Sequence, residues 1–242
     1  MSAPAGTQRV RWHAMPDRPA LDRAAAERIL NAAASAIRAR GQFHLVLAGG
    51  DTPRGAYRKL RESPADWAAW HIYFGDERCV PRDDPARNSR MAGEAWLDHV
   101  ALPARQIHPI PAELGAERAA KAYAGTLRDV GAFDLVVLGL GEDGHTASLF
   151  PGHDWGEAPG APAALAVLDA PKPPRERVSL SAARLSYTRE AVFLVSGESK
   201  RQAMADWRAG KPIPARAIAP TAGVAPTAGV APTAGVDVLV AP

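Results

Sequence analysis

The chain has 242 residues, 47% of them hydrophobic, so it can bury one sizeable core, and α/β folds of this length often form a single domain. Its 29 lysines and arginines exceed its 26 aspartates and glutamates by only three and are scattered, which indicates no nucleic-acid surface and leaves room for a small anionic ligand. One cysteine, Cys79, excludes an intrachain disulfide, and there is neither a long apolar run nor a hydrophobic signal core; the expectation is a cytoplasmic protein with no membrane partner.

In chain order, Leu21, Ala25, Ile29, Ala33 and Ile37 recur four apart and Gly41 supplies a stop, which predicts a helix over Leu21 to Arg40. Apolar runs predict strands at Phe43 to Ala48, His71 to Phe74, Phe133 to Leu138, Ala191 to Ser196 and Val236 to Val240. Helical patterns fall between them at Pro53 to Arg61, Ser89 to His99, Glu117 to Val130 and Ser199 to Arg208. Such alternation implies crossover connections. The expected fold is therefore α/β, a Rossmann-like layered arrangement with a mostly parallel sheet flanked by helices, in one domain over residues 1–242. The hexapeptide APTAGV occurs three times in tandem from Ala219 to Val236. Too short for a solenoid, it reads as a Pro/Gly/Ala repeat loop over residues 219–236.

Four strand ends carry the polar chemistry. In LAGGDTPRGAYRKL, Leu47 to Leu60, a strand ends in Gly49 and Gly50, and a helix opens with Thr52 as the expected N-cap and Pro53 as its first residue. Free amides and the positive end of the helix dipole favour a phosphate there, provided that Asp51 points away. In IYFGDERCVPRDDPARNSRM, Ile72 to Met91, three charges in a row follow a strand: Asp76, Glu77 and Arg78. They read either as a solvated, ion-paired turn or as an arginine fork for phosphate beside an acid that positions a sugar hydroxyl or an imidazole. Cys79 has no evident base partner and reads as an apolar filler.

The third end, GLGEDGHTASLFPG, Gly139 to Gly152, sets Asp143 and His145 two residues apart on a glycine-rich turn. Ligands of open α/β sheets sit beyond the carboxyl ends of the strands. An imidazole, with its ordinary pKa of about 6.5, can take a proton from water near neutral pH. General-base hydrolysis is the reading. Gly139-x-Gly141-x-x-Gly144 also matches a dinucleotide fingerprint, but Glu142 and Asp143 would face the phosphates and Pro151 leaves little room for a helix. Ser148 lacks a nucleophile elbow and reads as a cap or packing residue of a short helix. A metal on His145, Asp143 and His153 would match no zinc spacing, so neither metal nor cofactor is expected. His71, His99 and His108 carry no motif and read as surface or packing residues. The fourth end, VFLVSGESKRQAM, Val192 to Met204, places Lys200, one of only five lysines, in the first turn after a strand.

In this order, AGGDTP, FGDERCVPRDDPARNS, GLGEDGHTASLFPG, RERVSLSAARLS and FLVSGESK resemble the 6-phosphogluconolactonase family, within the broader group that includes glucosamine-6-phosphate deaminases. The resemblance implies hydrolysis of the phosphorylated sugar lactone 6-phospho-D-glucono-1,5-lactone, the second step of the oxidative pentose phosphate pathway. It implies that Gly49, Gly50, Thr52, Arg78 and Lys200 hold the phosphate. It also implies that His145 activates water with Asp143 nearby, and Asp143, His145 and Asp76 could share the work of the base. A lactone is an activated ester, so a base and an oriented water suffice. Two other readings stand beside it. One is a glucosamine-6-phosphate deaminase, with Asp76 moving a proton on a ring-opened sugar. The other is a non-catalytic sugar-phosphate sensor, which predicts an output module that the sequence does not display.

Overall fold

The structure, a computed structural model, describes residues 8–158, 160–222 and 235–242. Its centre is a seven-stranded sheet in the order β1 (Val10–Ala14), β10 (Val236–Ala241), β9 (Thr188–Ser196), β6 (Phe133–Gly139), β2 (Phe43–Leu47), β3 (Trp70–Phe74), β5 (Ile107–His108). Every neighbouring pair is parallel. Helices α1 (Arg18–Arg40), α2 (Asp51–Leu60), α3 (Asn88–Ala95), α4 (Ala116–Thr126), α5 (Ala182–Ser186) and α6 (Arg201–Arg208) flank it, which is the expected α/β class. The central strands are apolar runs because a parallel sheet is covered on both faces: Leu45, Val46, Leu135, Val136, Val137 and Phe193 are all fully buried.

Strand order fixes where a ligand can enter. From β2 the chain builds outward through β3 to β5, then returns to the other side of β2 with β6 and builds outward again through β9 and β10. The crossovers therefore diverge between β2 and β6, and an open parallel sheet leaves a crevice at the carboxyl ends of two such strands. Gly49 and Gly50 follow β2, and the Asp143 and His145 turn follows β6.

A second sheet, antiparallel and unanticipated, consists of β4 (Asp76–Arg78), β8 (Arg177–Leu180) and β7 (Ala164–Val167). The three charges of β4 are thus not a solvated turn. Strand alternation separates Asp76 and Arg78 from Glu77, which is completely buried. The Glu77 carboxylate accepts from the amides of Arg78, Asn88 and Ser89 at 2.9, 2.7 and 2.9 Å and from the Ser89 hydroxyl at 2.7 Å. Arg87, itself buried, lies 3.3 Å away as counter-charge.

Other differences have local causes. α1 begins at Arg18, ahead of the predicted Leu21, because Asp17 accepts from the Ala20 amide at 2.7 Å and Pro19 suits a first turn. α3 stops at Ala95, where Trp96 leaves helical torsions, and a short 3-10 turn, Leu97–His99, completes the predicted segment. α4 ends at Thr126, before the predicted Val130. Edge strand β1 was not predicted, since Arg11 and His13 interrupt its apolar pattern; both pair with Asp237 on β10 at 2.8 Å. Most of the APTAGV repeat lies outside the described residues.

His71 and His108 are packing residues, and with His44 they stack across β2, β3 and β5 at ring-centroid distances of 4.9 and 5.7 Å. Burial, then the neighbouring His71, pushes the His44 imidazole down to about 4. Because the folded state resists protonation, this group's contribution to stability is complete above the unfolded value of about 6.5 and is lost as pH falls towards 4. The melting temperature should therefore fall between pH 6.5 and 5, above the main carboxylate range, and fall less steeply in His44→Gln; identical slopes would exclude the stack as the source.

Candidate active site

The carboxyl ends of β3, β2, β6 and β9 open into one cavity of about 540 Å³, within the usual range for a small-molecule site. Seven of the eight predicted site residues line it: Gly49, Gly50, Thr52, Asp76, Arg78, His145 and Lys200. The eighth, Asp143, stands behind His145. Arg18, Asn88 and Arg177 also line the cavity, and none was singled out from the sequence. Among the lining residues four cations, Arg18, Arg78, Arg177 and Lys200, face two carboxylates, Asp51 and Asp76, so the cavity favours an anion.

The β2–α2 turn differs from expectation in its cap. Gly50, at φ 103°, is the N-cap, and no side chain caps the helix. This left-handed torsion, easy only for glycine, lets the helix start at Asp51, so Thr52 lies inside the first turn and is not the N-cap. The first-turn amides have no intrahelical acceptor and carry the positive end of the dipole. Arg18 pins the turn by donating to the carbonyls of Asp51 and of Thr52, the latter at 3.1 Å. The Asp51 carboxylate, at the cavity's edge, is 84% exposed and pairs with Arg54 at 3.1 Å, which offsets its charge.

Gly49 is needed for space. A Cβ there would lie 1.9 Å from Oδ1 of Asn88. Asn88, buried at the start of α3, donates through Nδ2 to the Asp76 carbonyl at 2.9 Å and to its Oδ1 at 3.1 Å. Arg78 and Arg177 are cross-strand partners on β4 and β8. Arg78 donates to the Ala86 carbonyl at 2.6 Å. Arg177 donates to the carbonyls of Pro174 and Lys172 at 3.0 and 2.9 Å. Burial pushes the Arg177 guanidinium down, against the charge of Asp76 and with that of Arg78. Lys200 closes the 3-10 turn Glu198–Lys200 directly before α6 and makes no ion pair among the described residues.

His145 is held from three sides. Its Nδ1 lies 2.5 Å from Oδ1 of Asp143, its amide donates to the same oxygen at 3.1 Å, and its ring packs against Phe150 at 4.8 Å. An ionised carboxylate only accepts, so Nδ1 is the donor, and the neutral form of the ring carries its lone pair on Nε2. Partial burial pushes the Asp143 carboxyl up, but the bonds and charge of His145 outweigh it and hold the group at about 2. Gly141 makes room for the ring, since a Cβ there would lie 1.9 Å from Nδ1. No helix opens on Gly139 to Gly144; the chain closes instead with a bridge between Thr146 and Leu149, and the dinucleotide fingerprint lacks its helix.

Ser148 is 1% exposed and does not line the cavity. It lies on no helix, contrary to expectation, and its hydroxyl donates to Oδ2 of Asp76 at 2.6 Å. Burial, aided by Glu176, pushes the Cys79 thiol up to about 11, so it is no thiolate at neutral pH. Among the described residues no three His, Cys, Asp or Glu side chains converge as a metal site; His153 lies 3.7 Å from Asp169 instead. No described helix is long and apolar enough to cross a membrane.

A family model described as glucosamine-6-phosphate isomerases/6-phosphogluconolactonase matches residues 16–228. The 6-phosphogluconolactonase of Mycobacterium tuberculosis is 38% identical over 204 residues, 78% of this chain and 82% of that relative. The 6-phosphogluconolactonase of Synechocystis is 40% identical over 185 residues, 71% of this chain and 73% of the relative. The crystal structure of a 6-phosphogluconolactonase from Thermotoga maritima matches with a TM-score of 0.84 at 24% identity, over 96% of this chain and 100% of that one. A monomeric glucosamine-6-phosphate deaminase matches at 0.77 and 19% identity, over 96% and 97%. At these identities the structural likeness speaks for the fold alone.

The Asp143 contact makes one prediction independent of any substrate. Asp143→Ala should remove the Nδ1–H preference of His145, visible in long-range proton–nitrogen NMR spectra as a shift towards the Nε2–H tautomer. An unchanged tautomer would mean that something other than the carboxylate orients the ring.

Proposed function

The chain belongs to the glucosamine-6-phosphate isomerase/6-phosphogluconolactonase family, and from that premise we propose that it hydrolyses 6-phospho-D-glucono-1,5-lactone to 6-phospho-D-gluconate in the oxidative pentose phosphate pathway. The observation that carries this reading is the His145 and Asp143 pair, its Nε2 lone pair free at the edge of a cationic cavity. The lone cysteine fits the reducing cytoplasm in which we place the reaction.

In the proposed mechanism the substrate phosphate occupies the turn of Gly49, Gly50 and Thr52, with Arg78 and Lys200 supplying the counter-charge. Nε2 of His145 takes a proton from water as the water oxygen bonds to the lactone carbonyl carbon. The carbonyl electrons move onto oxygen, and the resulting oxyanion is stabilised by donors already fixed around the cavity. When the carbonyl reforms, the ring C–O bond breaks, and the imidazolium returns its proton to the leaving oxygen, which becomes a hydroxyl. Asp143 holds the ring and offsets its transient charge. No covalent acyl-enzyme is needed, and the Ser148 hydroxyl proton is committed to Asp76.

The decisive experiment adds purified protein to freshly generated 6-phosphogluconolactone and follows acid release against the spontaneous background, with unphosphorylated gluconolactone as control. Acceleration of the phosphorylated lactone only is expected. No acceleration would direct attention to glucosamine 6-phosphate, then to simple ligand binding. His145→Ala should lower kcat by roughly 10²- to 10⁴-fold with little change in KM, while Arg78→Ala should mainly raise KM. Equal losses of binding in both would overturn these roles. Gly141→Ala should cost about 100-fold in kcat by displacing the ring, without unfolding the protein. Because the bonds and charge of His145 hold the Asp143 carboxyl down at about 2, Asp143 should stay ionised to pH 4, and an acid limb of kcat/KM above pH 4 that disappears in Asp143→Asn would contradict this.

A further inference from the structure

Asp76 is 6% exposed, yet it lines the cavity. Each of its carboxylate oxygens is already fixed by one donor, Oδ1 by Asn88 at 3.1 Å and Oδ2 by Ser148 at 2.6 Å. Both donors are nearly inaccessible and tied to other parts of the site. Asn88 gives its amide to Glu77 at 2.7 Å and packs under Gly49 of the β2–α2 turn. Ser148 lies on the turn that carries His145, and its amide donates at 3.2 Å to the hydroxyl of Ser179, which faces Asp76 across β4 and β8. Asp76 is thus the knot between the turn that offers an anion cradle, the turn that carries the base and the second sheet.

A protonated carboxyl would have to spend its own O–H, but a carboxylate with a donor on each oxygen is an acceptor on both sides. Arg177 on β8 is close enough for its charge to be felt by Asp76. An ionised carboxylate offers about four acceptor positions, and two are occupied. Those remaining at the cavity side can only accept, so they select a group that donates. Next to an anion cradle, such a group is a ring hydroxyl of a phosphorylated sugar.

We propose that Ser148 and Asn88 are positioning residues that fix Asp76 as an acceptor for one ring hydroxyl of the sugar lactone. The proposal rests on the lactonase reading and adds a specificity element to it: the phosphate places one end of the substrate, and Asp76 checks the hydroxyl pattern before the carbonyl meets His145. Sites built to bond a hydroxyl discriminate against analogues that lack it, because the buried acceptor is left unpaired.

The test couples enzyme variants to substrate variants. Three 6-phospholactones lacking the hydroxyl at C2, C3 or C4 are compared with the parent on the native protein, Ser148→Ala, Asn88→Ala and the isosteric Asp76→Asn. The native protein should lose roughly 10- to 100-fold in kcat/KM on one of the three analogues, the range of a hydrogen bond to a charged group. Each variant should lose on the parent substrate but lose little more on that same analogue, since enzyme and substrate changes then remove one shared interaction. A purely structural role would give every variant the same fold-loss on all four lactones, and that result would overturn the proposal while leaving lactonase activity intact. Asp76→Asn keeps the side-chain shape, so the comparison survives if the other variants fold poorly. Failure of the native protein to hydrolyse the parent would remove the lactonase reading itself, and this inference with it.

Discussion

A buried carboxylate, Glu77, holds the site together. Fully withdrawn from water, it must find donors inside the protein, and those it finds come from the first residues of α3, from its own strand and from Arg87. Removing one partner of a buried pair of this kind costs about 3–5 kcal/mol, because the other charge is left behind. The position of Glu77 also dictates that of its neighbours. Side chains alternate along a strand, so sending Glu77 inward turns Asp76 and Arg78 the other way, where both line the cavity. A structural charge thus orients two residues that we assign to the substrate.

Topology supplies the crevice and glycines make it usable, in two different ways. Gly50 adopts a torsion that other residues resist. Gly49 and Gly141 are required for clearance: a side chain at either would run into Asn88 or His145. The two kinds of glycine predict different damage. An added methyl at Gly50 strains the backbone, whereas one at Gly141 meets the His145 ring.

What could be read from the sequence follows from how local the causes are. The five central strands were legible because burial on both faces leaves mostly apolar runs, and the cavity residues after β2, β6 and β9 were legible because glycine-rich turns mark strand ends. Strand β4 was not, since all its residues are charged and its pairing with β8 joins segments about a hundred residues apart. The cap at Thr52 was misread because the torsion of Gly50 decides where α2 starts. Arg18, Asn88 and Arg177 reach the cavity from a helix start, a second helix start and the second sheet, and no spacing rule connects them. Asn88 and Arg177 did fall inside the stretches that carry the family resemblance, DPARNS and RERVSLS, without their roles being visible there.

The same fold carries lactonases and deaminases, so the overall likeness cannot separate the two, and the separation has to come from proton inventories. Lactone hydrolysis needs one group that accepts a proton and gives it back to a nearby oxygen; an imidazole with one nitrogen held by Asp143 and the other free does this without help. Moving a proton between carbons of an open-chain sugar needs a carboxylate that can be both acceptor and donor. Asp76 is held through both oxygens by Ser148 and Asn88, with acceptor positions left at the cavity side. Such a group is suited to accepting from hydroxyls. The His145 and Asp143 pair at the edge of a cationic cavity, more than the shape of the sheet, is what favours hydrolysis in this chain.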